Sequence, residues 1–385
     1  TGIGFLTRQL GVPIVLCVVW FLWIPFFMKL NLTSAYEYLE RRFNYTTRAF
    51  AAVFCLCLLF GWMAVVVLTA SKAMGDIAHL NIEWFFGYNN DKFRDADIHA
   101  IIVSIGLFSI LYTAMGGIRA VVWTDVIQFF VLVAGALFTI GYIAWNTNSG
   151  VGDWLAASRA YEHRENVEWF SWNITNRSTV FTIAIGMVFW FICTHGANQV
   201  ALQRYFTVKD VWAARKTYLV SAISSFGLGV ILAGVGISLI YFIQDHEMGA
   251  SEGIHSAVKA VRYEAQDKVF PQFIRIYLPS GLRGMVVAAL FAAAMSTIDS
   301  GANSVSTIVT IDFFRRFRPS SSAASELKLA RILTATMGFI IVVLTLALYH
   351  ASKGTDIISL CQKGFNCFLG PLGALFVLGL FSKRA

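Results

Sequence analysis

One stretch of the chain combines hydroxyl groups, an amide and a carboxylate inside an otherwise apolar segment. It covers residues 292–307 and reads AAAMSTIDSGANSVST. Helical steps of three and four place one set of its residues on a single face, which Asp299 flanks: Ala293, Ser296, Thr297, Ser300 and Ser304. Such oxygen ligands suit a hard alkali cation, as they suit calcium. Tight packing against another helix is an alternative for the hydroxyls, but it does not require a carboxylate.

A second carboxylate, Asp125, lies with Gln128 near the start of another apolar run, in GGIRAVVWTDVIQ (116–128). An ionisable group at the centre of a bilayer costs about 3 to over 10 kcal/mol and therefore usually faces a cavity or a partner. A helix cap at the membrane surface is the alternative. The valines at 121 and 122 precede Asp125 within the run and favour a buried role.

A third polar cluster, HGANQVALQRYF (195–206), closes an apolar run. A glycine and the amides of Asn198 and Gln199 at membrane depth suit a discontinuous helix whose freed backbone groups line a binding site. An ordinary helix end, with Gln203 and Arg204 among the lipid headgroups, is equally compatible with the sequence. His195 stands alone, so we interpret it as a hydrogen-bonded core residue and not as a metal ligand.

The composition and the apolar runs indicate an all-α membrane protein. Hydrophobic residues make up 57% of the chain and charged residues 14%, whereas soluble domains carry about 25% charged residues. A spanning helix needs about 20 apolar residues, and open strands are excluded in hydrocarbon. Nine runs qualify: 10–28, 49–70, 100–118, 120–145, 179–201, 217–243, 284–311, 330–349 and 357–381.

Lysine and arginine concentrate in alternating connections, which are 29–48, 119, 203–216, 312–331 and 382–385. The positive-inside rule places these connections in the cytoplasm. We therefore expect a multi-pass protein of the plasma (inner) membrane. The net charge of +8 reflects this orientation in the lipid bilayer, and no nucleic-acid partner is indicated.

Several classes of protein are disfavoured. The six cysteines lie within apolar runs without CxxC pairs, so neither a disulfide framework nor a zinc site is indicated. The phosphate-loop, nucleophile-elbow and zinc-protease motifs are missing from the sequence, which disfavours an enzyme. Rings of pore charges are also missing, which disfavours a channel.

Five stretches resemble the sodium/solute symporter family, which includes sodium–glucose, sialic acid and monocarboxylate carriers. They are TSAYEYLERRF (33–43), TAMGGIRAVVWTDVIQ (113–128), NQVALQRYF (198–206), the long block 278–316, and GPLGALFVLGLFSKR (370–384). The resemblance implies a LeuT-like bundle of two inverted five-helix repeats. Residues 1–385 would form a single transporter core containing core helices two to ten, with the first, broken helix before Thr1 and further helices after Ala385.

The resemblance also implies ligands for the coupling ion, Na⁺. One sodium would bind the Ala293 carbonyl, Ser296 and Thr297. A second would bind Asp125, Asp299 and Ser300, although family members often carry Ser or Thr where this chain has Asp299. The polar positions expected at the substrate are Gln9, Asn198, Gln199, Gln362, Lys363 and Asn366.

The function implied by the resemblance is sodium-coupled symport of a small polar organic solute by alternating access. A hexose is doubtful, because Val200 and Ala201 occupy the stretch where glucose-type members carry a sugar-stacking aromatic residue. The alternative is a transporter-like sensor module fused to signalling domains.

Overall fold

The computed structural model describes residues 8–30, 32–78, 94–160, 172, 179–249, 269–352 and 357–382, and this part of the chain is helical with no strand. The helices are α1 (Gln9–Lys29), α2 (Glu37–Arg42), α3 (Tyr45–Ala78), α4 (Arg94–Thr147), α5 (Val151–Ala160), α6 (Val180–Ala197), α7 (Gln199–Phe206), α8 (Val211–Gly249), α9 (Val269–Tyr277), α10 (Ser280–Phe317), α11 (Ala323–Ala351) and α12 (Ile357–Phe381).

Seven helical segments among the described residues are long and apolar enough to cross a membrane. They are α1, α3, the second part of α4, α6, α8, α10 and α11. Two shorter apolar segments, Ala96–Ser109 and Phe365–Phe381, overlap the other two predicted spans. The positions of the predicted spans are thus recovered, but the count of nine is not confirmed.

Helix α4 contains two passes. The rings of Phe108 and Phe291 lie 6.0 Å apart, and a Cβ built on Gly135 would lie 3.5 Å from the Cβ of Ala289. Phe108 and Gly135 therefore contact the same turn of α10. A straight helix would separate them by about 40 Å at 1.5 Å per residue. The chain must therefore reverse direction between Phe108 and Gly135. This agrees with the prediction of two separate spans on either side of Arg119.

Two spanning helices contain a π-helical turn. In α1 the turn Val19–Trp23 precedes Pro25, and the N–H of Ile24 bonds the carbonyl of Val19. Proline has no N–H to donate, and the wider turn absorbs this loss. In α10 the π turn Val309–Phe314 carries the buried Asp312. Single π turns occur frequently at functional sites.

The cytoplasmic assignment rests on connections that the structure brings to one end of the bundle. There Arg48 of α3 pairs with Asp312 of α10, and Arg316 pairs with Glu40 of the α1–α3 connection. Arg42 also donates a hydrogen bond to the carbonyl of Ser382, after α12. We call this end, where residues 32–44, 198–210, 312–322 and 382 meet, the basic end.

Candidate functional site

The run predicted as residues 179–201 is broken at Asn198. Helix α6 ends at Ala197, Asn198 has extended backbone angles (φ −84°, ψ 122°), and α7 begins at Gln199. The Asn198 side chain accepts a hydrogen bond of 3.0 Å from the N–H of Val200, which caps the new helix. The predicted discontinuous helix is confirmed, and the alternative of an ordinary helix end is wrong.

The two halves of the broken helix are joined by His195. Its Nδ1 lies 3.0 Å from the hydroxyl of Tyr205, at the far end of α7. Its ring also packs edge-on against Tyr218 of α8. This agrees with the interpretation of His195 as a hydrogen-bonded core residue.

Close packing also holds the break in place. Gly196 lies so near Trp23 of α1 that an added Cβ would be 2.5 Å from the indole ring. Trp23 is buried, and its ring is rigid, so the space cannot be recovered by a small side-chain movement. Gly196 has ordinary helical backbone, so its conformation does not require glycine. The close approach of Trp23 does.

Replacing Gly196 by alanine is expected to lower stability by about 1–3 kcal/mol, the usual cost of overpacking a filled core. Gly186→Ala in the same helix is the matched control, because nothing lies within 4 Å of its added Cβ. Thermal unfolding of both variants measures the difference. Equal stability of the two variants would contradict the proposed contact with Trp23.

The predicted primary cation ligands converge on one carbonyl. The hydroxyls of Ser296 and Thr297 donate to the carbonyl oxygen of Ala293 at 3.4 and 3.2 Å. All three oxygens therefore lie together on one side of α10. They offer hard ligands of the kind that alkali and alkaline-earth cations prefer.

Asp125 and Ser300 meet at a third residue, Arg204 of α7. Its guanidinium lies 3.3 Å from Asp125 Oδ2 and 3.4 Å from Ser300 Oγ. Asp125 and Ser300, two of the predicted ligands of the second sodium, thus lie at a common position. The positively charged guanidinium of Arg204 lies against both.

Two further oxygens near this position are buried and have no hydrogen-bond partner within the part of the chain that the structure describes. They are Oδ1 of Asp125 and Oε1 of Gln128, one helical turn apart on α4. A buried polar atom without a partner is costly. The donor set of carboxylate, amide and hydroxyl oxygens fits a sodium ion.

Asp299 lies on a different face of α10. Its carboxyl is fully buried and faces the hydroxyl of Ser109 in the first pass of α4, whereas Ser300 faces Arg204. Consecutive helical residues point about 100° apart, because a turn holds 3.6 residues. The structure therefore does not gather Asp299 with Asp125 and Ser300 as the prediction required.

Helix α7 is also hydrogen-bonded directly to α10. Gln203 accepts a hydrogen bond of 3.0 Å from Ser304 and donates one of 3.2 Å to Thr307. Ser304 lies about two turns beyond Ser296 on α10. The second half of the broken helix, α7, is thus bound to the helix that carries the predicted cation ligands.

The connection between α1 and α3 lies across the break. The amide of Gln199 accepts from the N–H of Ala35 at 3.1 Å and donates to the carbonyl of Thr33 at 3.4 Å. Tyr36 donates to the carbonyl of Ala197 at 3.1 Å, and burial raises the pKa of this phenol, so it remains a donor. The Gln199 amide, predicted to bind substrate, is engaged by this connection.

A buried ion pair completes the closure of the basic end. Asp312 is fully buried, accepts from Ser34 at 2.7 Å, and pairs with Arg48 at 2.6 Å. Arg48 also reaches Glu40 at 2.6 Å. Sequence reasoning treated Arg48 only as an orienting charge and missed Asp312. A carboxylate directly after an apolar run, between Ile311 and Phe313, was the available signal.

Of the other predicted substrate positions, Gln9 and Asn366 are not gathered at the break. Gly11, two residues after Gln9, packs against Val188, which lies ten residues or about 15 Å before Asn198 along α6. Asn366 is exposed on α12. Gln362 and Lys363 lie in the helical backbone of α12, but their side chains are outside the described residues.

Comparison with known proteins accounts for this arrangement. The sodium/sialic acid symporter NanT of Aliivibrio fischeri is 30% identical over 99% of this chain and 70% of that protein. SiaT of Proteus mirabilis, a sodium/sialic acid symporter, is 29% identical over 99% of this chain and 71% of its own length. Both are transporters, so the relatives support neither an enzyme nor a signalling sensor.

A solved structure of a Na⁺-coupled sialic acid symporter superposes with a TM-score of 0.80. It is 28% identical and covers 99% of this chain and 73% of its own. That protein was captured substrate-bound in an outward-open state with a novel Na⁺ site. The fold is thus the LeuT-like one. The sodium:solute symporter family model matches residues 1–385, and the chain belongs to the sodium:solute symporter family.

Proposed function

We propose that the primary coupling sodium binds Ala293, Ser296 and Thr297. The observation that carries this proposal is the convergence of both hydroxyls on one carbonyl oxygen. Without an ion, the hydroxyl hydrogens satisfy that carbonyl. When sodium binds, the hydroxyls rotate and present lone pairs to it, so three ligands are obtained without moving the backbone of α10.

The broken helix couples this ion to movement. Helix α7 is hydrogen-bonded to α10 through Gln203 and to the α1–α3 connection through Gln199. Opening the basic end requires these contacts to break. Sodium drives transport only by binding the two states differently, and we propose that it favours the state in which α7 rests on α10. One charge crossing 100 mV supplies about 2.3 kcal/mol, which is enough to bias this equilibrium.

We propose a second sodium at Asp125 and Ser300, with Gln128 as an additional oxygen ligand. Arg204 then competes with this ion for the same carboxylate. When sodium binds, Arg204 is displaced from Asp125, and the ion pair between α7 and α4 is lost. Asp299, on the neighbouring face, is left outside this set.

For the solute we propose a small acidic sugar related to sialic acid. Both relatives and the superposed structure are named for that substrate. The N terminus of α7 lies at the break, and the N terminus of a half-helix favours an anionic group. We further propose that the protein lies in the plasma or inner membrane with its basic end in the cytoplasm.

Uptake into liposomes containing the full-length protein tests these assignments. We expect an inward sodium gradient to drive accumulation of sialic acid, a potassium gradient to fail, and glucose not to compete. Sodium-driven glucose uptake without sialic acid uptake would refute the solute assignment alone. Equal uptake in sodium and potassium would refute sodium coupling.

Asp125→Asn in the same assay tests the second ion. We expect the sodium dependence to lose its sigmoidal shape and to shift about tenfold or more, since charge-assisted ligands contribute about 1.5–3 kcal/mol each. Asp153→Asn, an exposed acid of α5, is the control. An unchanged sodium curve for Asp125→Asn would remove the second site from the proposal.

A further inference from the structure

Three aromatic rings meet at the end of the bundle opposite the basic end. They belong to His99, near the start of α4, and to Tyr349 and His350 in the last turn of α11. The centroids of the two imidazoles lie 5.3 Å apart with 57° between the ring planes. The Tyr349 ring lies 5.4 Å from His99. Transport as described above uses none of these side chains.

The separation of the imidazoles suits a shared metal ion. With zinc–nitrogen bonds of about 2.0–2.1 Å, each ring centroid lies roughly 3.2 Å from the ion, and tetrahedral angles place the centroids about 5.2 Å apart. The observed 5.3 Å agrees with this value. The two histidines come from different helices, so one ion would bridge α4 and α11.

Ring packing alone gives similar separations, because aromatic pairs lie 4.5–7 Å apart. Ring packing does not account for Nε2 of His99, which is buried and has no hydrogen-bond partner among the described residues. A buried polar atom normally has one. An imidazole nitrogen without such a partner is free to donate its lone pair to a metal.

We propose that His99 and His350 form a transition-metal site, with water completing the coordination. The described residues contain no group of three or more His, Cys, Asp and Glu side chains that could hold a metal, so the ion would have two protein ligands. Imidazole selects zinc, copper or nickel over magnesium and calcium. His350 is exposed, which leaves the ion a route from solution.

The ion would stabilise the contact between α4 and α11. These helices already pack closely, since a Cβ on Gly106 would clash with Val342. The expected consequence is therefore a metal-dependent gain in thermal stability. The proposal does not depend on which solute or how many sodium ions the protein carries.

The test uses the purified full-length protein, stripped with a chelator and titrated with zinc chloride while thermal unfolding is followed. We expect zinc to raise the midpoint, magnesium not to, and His99→Ala or His350→Ala to weaken zinc binding by about tenfold or more, because each removes one of two ligands. Cobalt added instead of zinc should produce visible absorption bands that the double variant lacks.

Tyr349→Phe is the matched control, because it keeps the ring cluster and both imidazoles. It should bind zinc as the unaltered protein does. If His99→Ala does not fold, His350→Cys keeps a thiolate ligand and should bind cadmium. A cluster that only packs predicts no zinc-dependent shift in the unaltered protein. That result, or an equal shift in the double variant, would overturn the proposal.

Discussion

Replacing Asp312 by alanine is expected to destabilise the protein by about 3–5 kcal/mol, the usual cost of removing one partner of a buried ion pair. Asp312 is fully buried, and the side chain of Arg48 is 11% exposed. Without the carboxylate, Arg48 retains its hydrogen bonds to Glu40 and to the carbonyl of Ile311. The α1–α3 connection also loses its hydrogen bond from Ser34. Chemical or thermal unfolding in detergent measures the loss.

Two controls separate the buried pair from a general charge effect. Glu326→Ala breaks the Arg315–Glu326 pair, in which Arg315 is 49% exposed, and should cost far less stability than Asp312→Ala, because water screens an exposed pair. Arg48→Met combined with Asp312→Leu removes both charges and should recover most of the lost stability. If Asp312→Ala and Glu326→Ala cost the same, the pair does not hold the basic end together.

The double replacement Ser296→Ala with Thr297→Ala is expected to abolish sodium-driven uptake at ordinary sodium concentrations. Each hydroxyl bound to a charged group contributes about 1.5–3 kcal/mol, so each loss weakens sodium binding by roughly tenfold to a hundredfold. Sodium-dependent thermal stabilisation should fall together with uptake, to the part that the second sodium supplies. The measurements are a sodium titration of unfolding and initial uptake rates.

Ser306→Ala is the matched control on the same helix. Ser306 donates to the carbonyl of Ala330 in α11 and does not face Ala293. We expect it to fold and to keep its sodium dependence. Normal sodium affinity in the double variant, with normal folding, would mean that the primary ion binds elsewhere in the chain.

The class of the protein, and the helix face that we propose binds the ion, followed from local sequence. A helix must satisfy its own backbone polar groups in hydrocarbon, so long apolar runs predict spans directly. Spacing by three and four places Ala293, Ser296 and Thr297 together because helical geometry is local. The break at Asn198 was one of two alternatives, since glycine and amides suit both a break and a helix end. The lengths of most spanning helices were underestimated, because helical backbone continues past the apolar core.

Contacts between distant segments were decided by the tertiary structure. Nothing in the local pattern distinguishes Asp299, which faces Ser109, from Ser300, which faces Arg204. Arg48 and Asp312 are 264 residues apart, so helix packing alone determines that they pair. Gln199 carries an amide of the kind that can bind a substrate. In the structure that amide is hydrogen-bonded to the backbone of Thr33 and Ala35 instead. Helical periodicity assigns a residue to a face, whereas the partner of that face depends on how all the helices pack together.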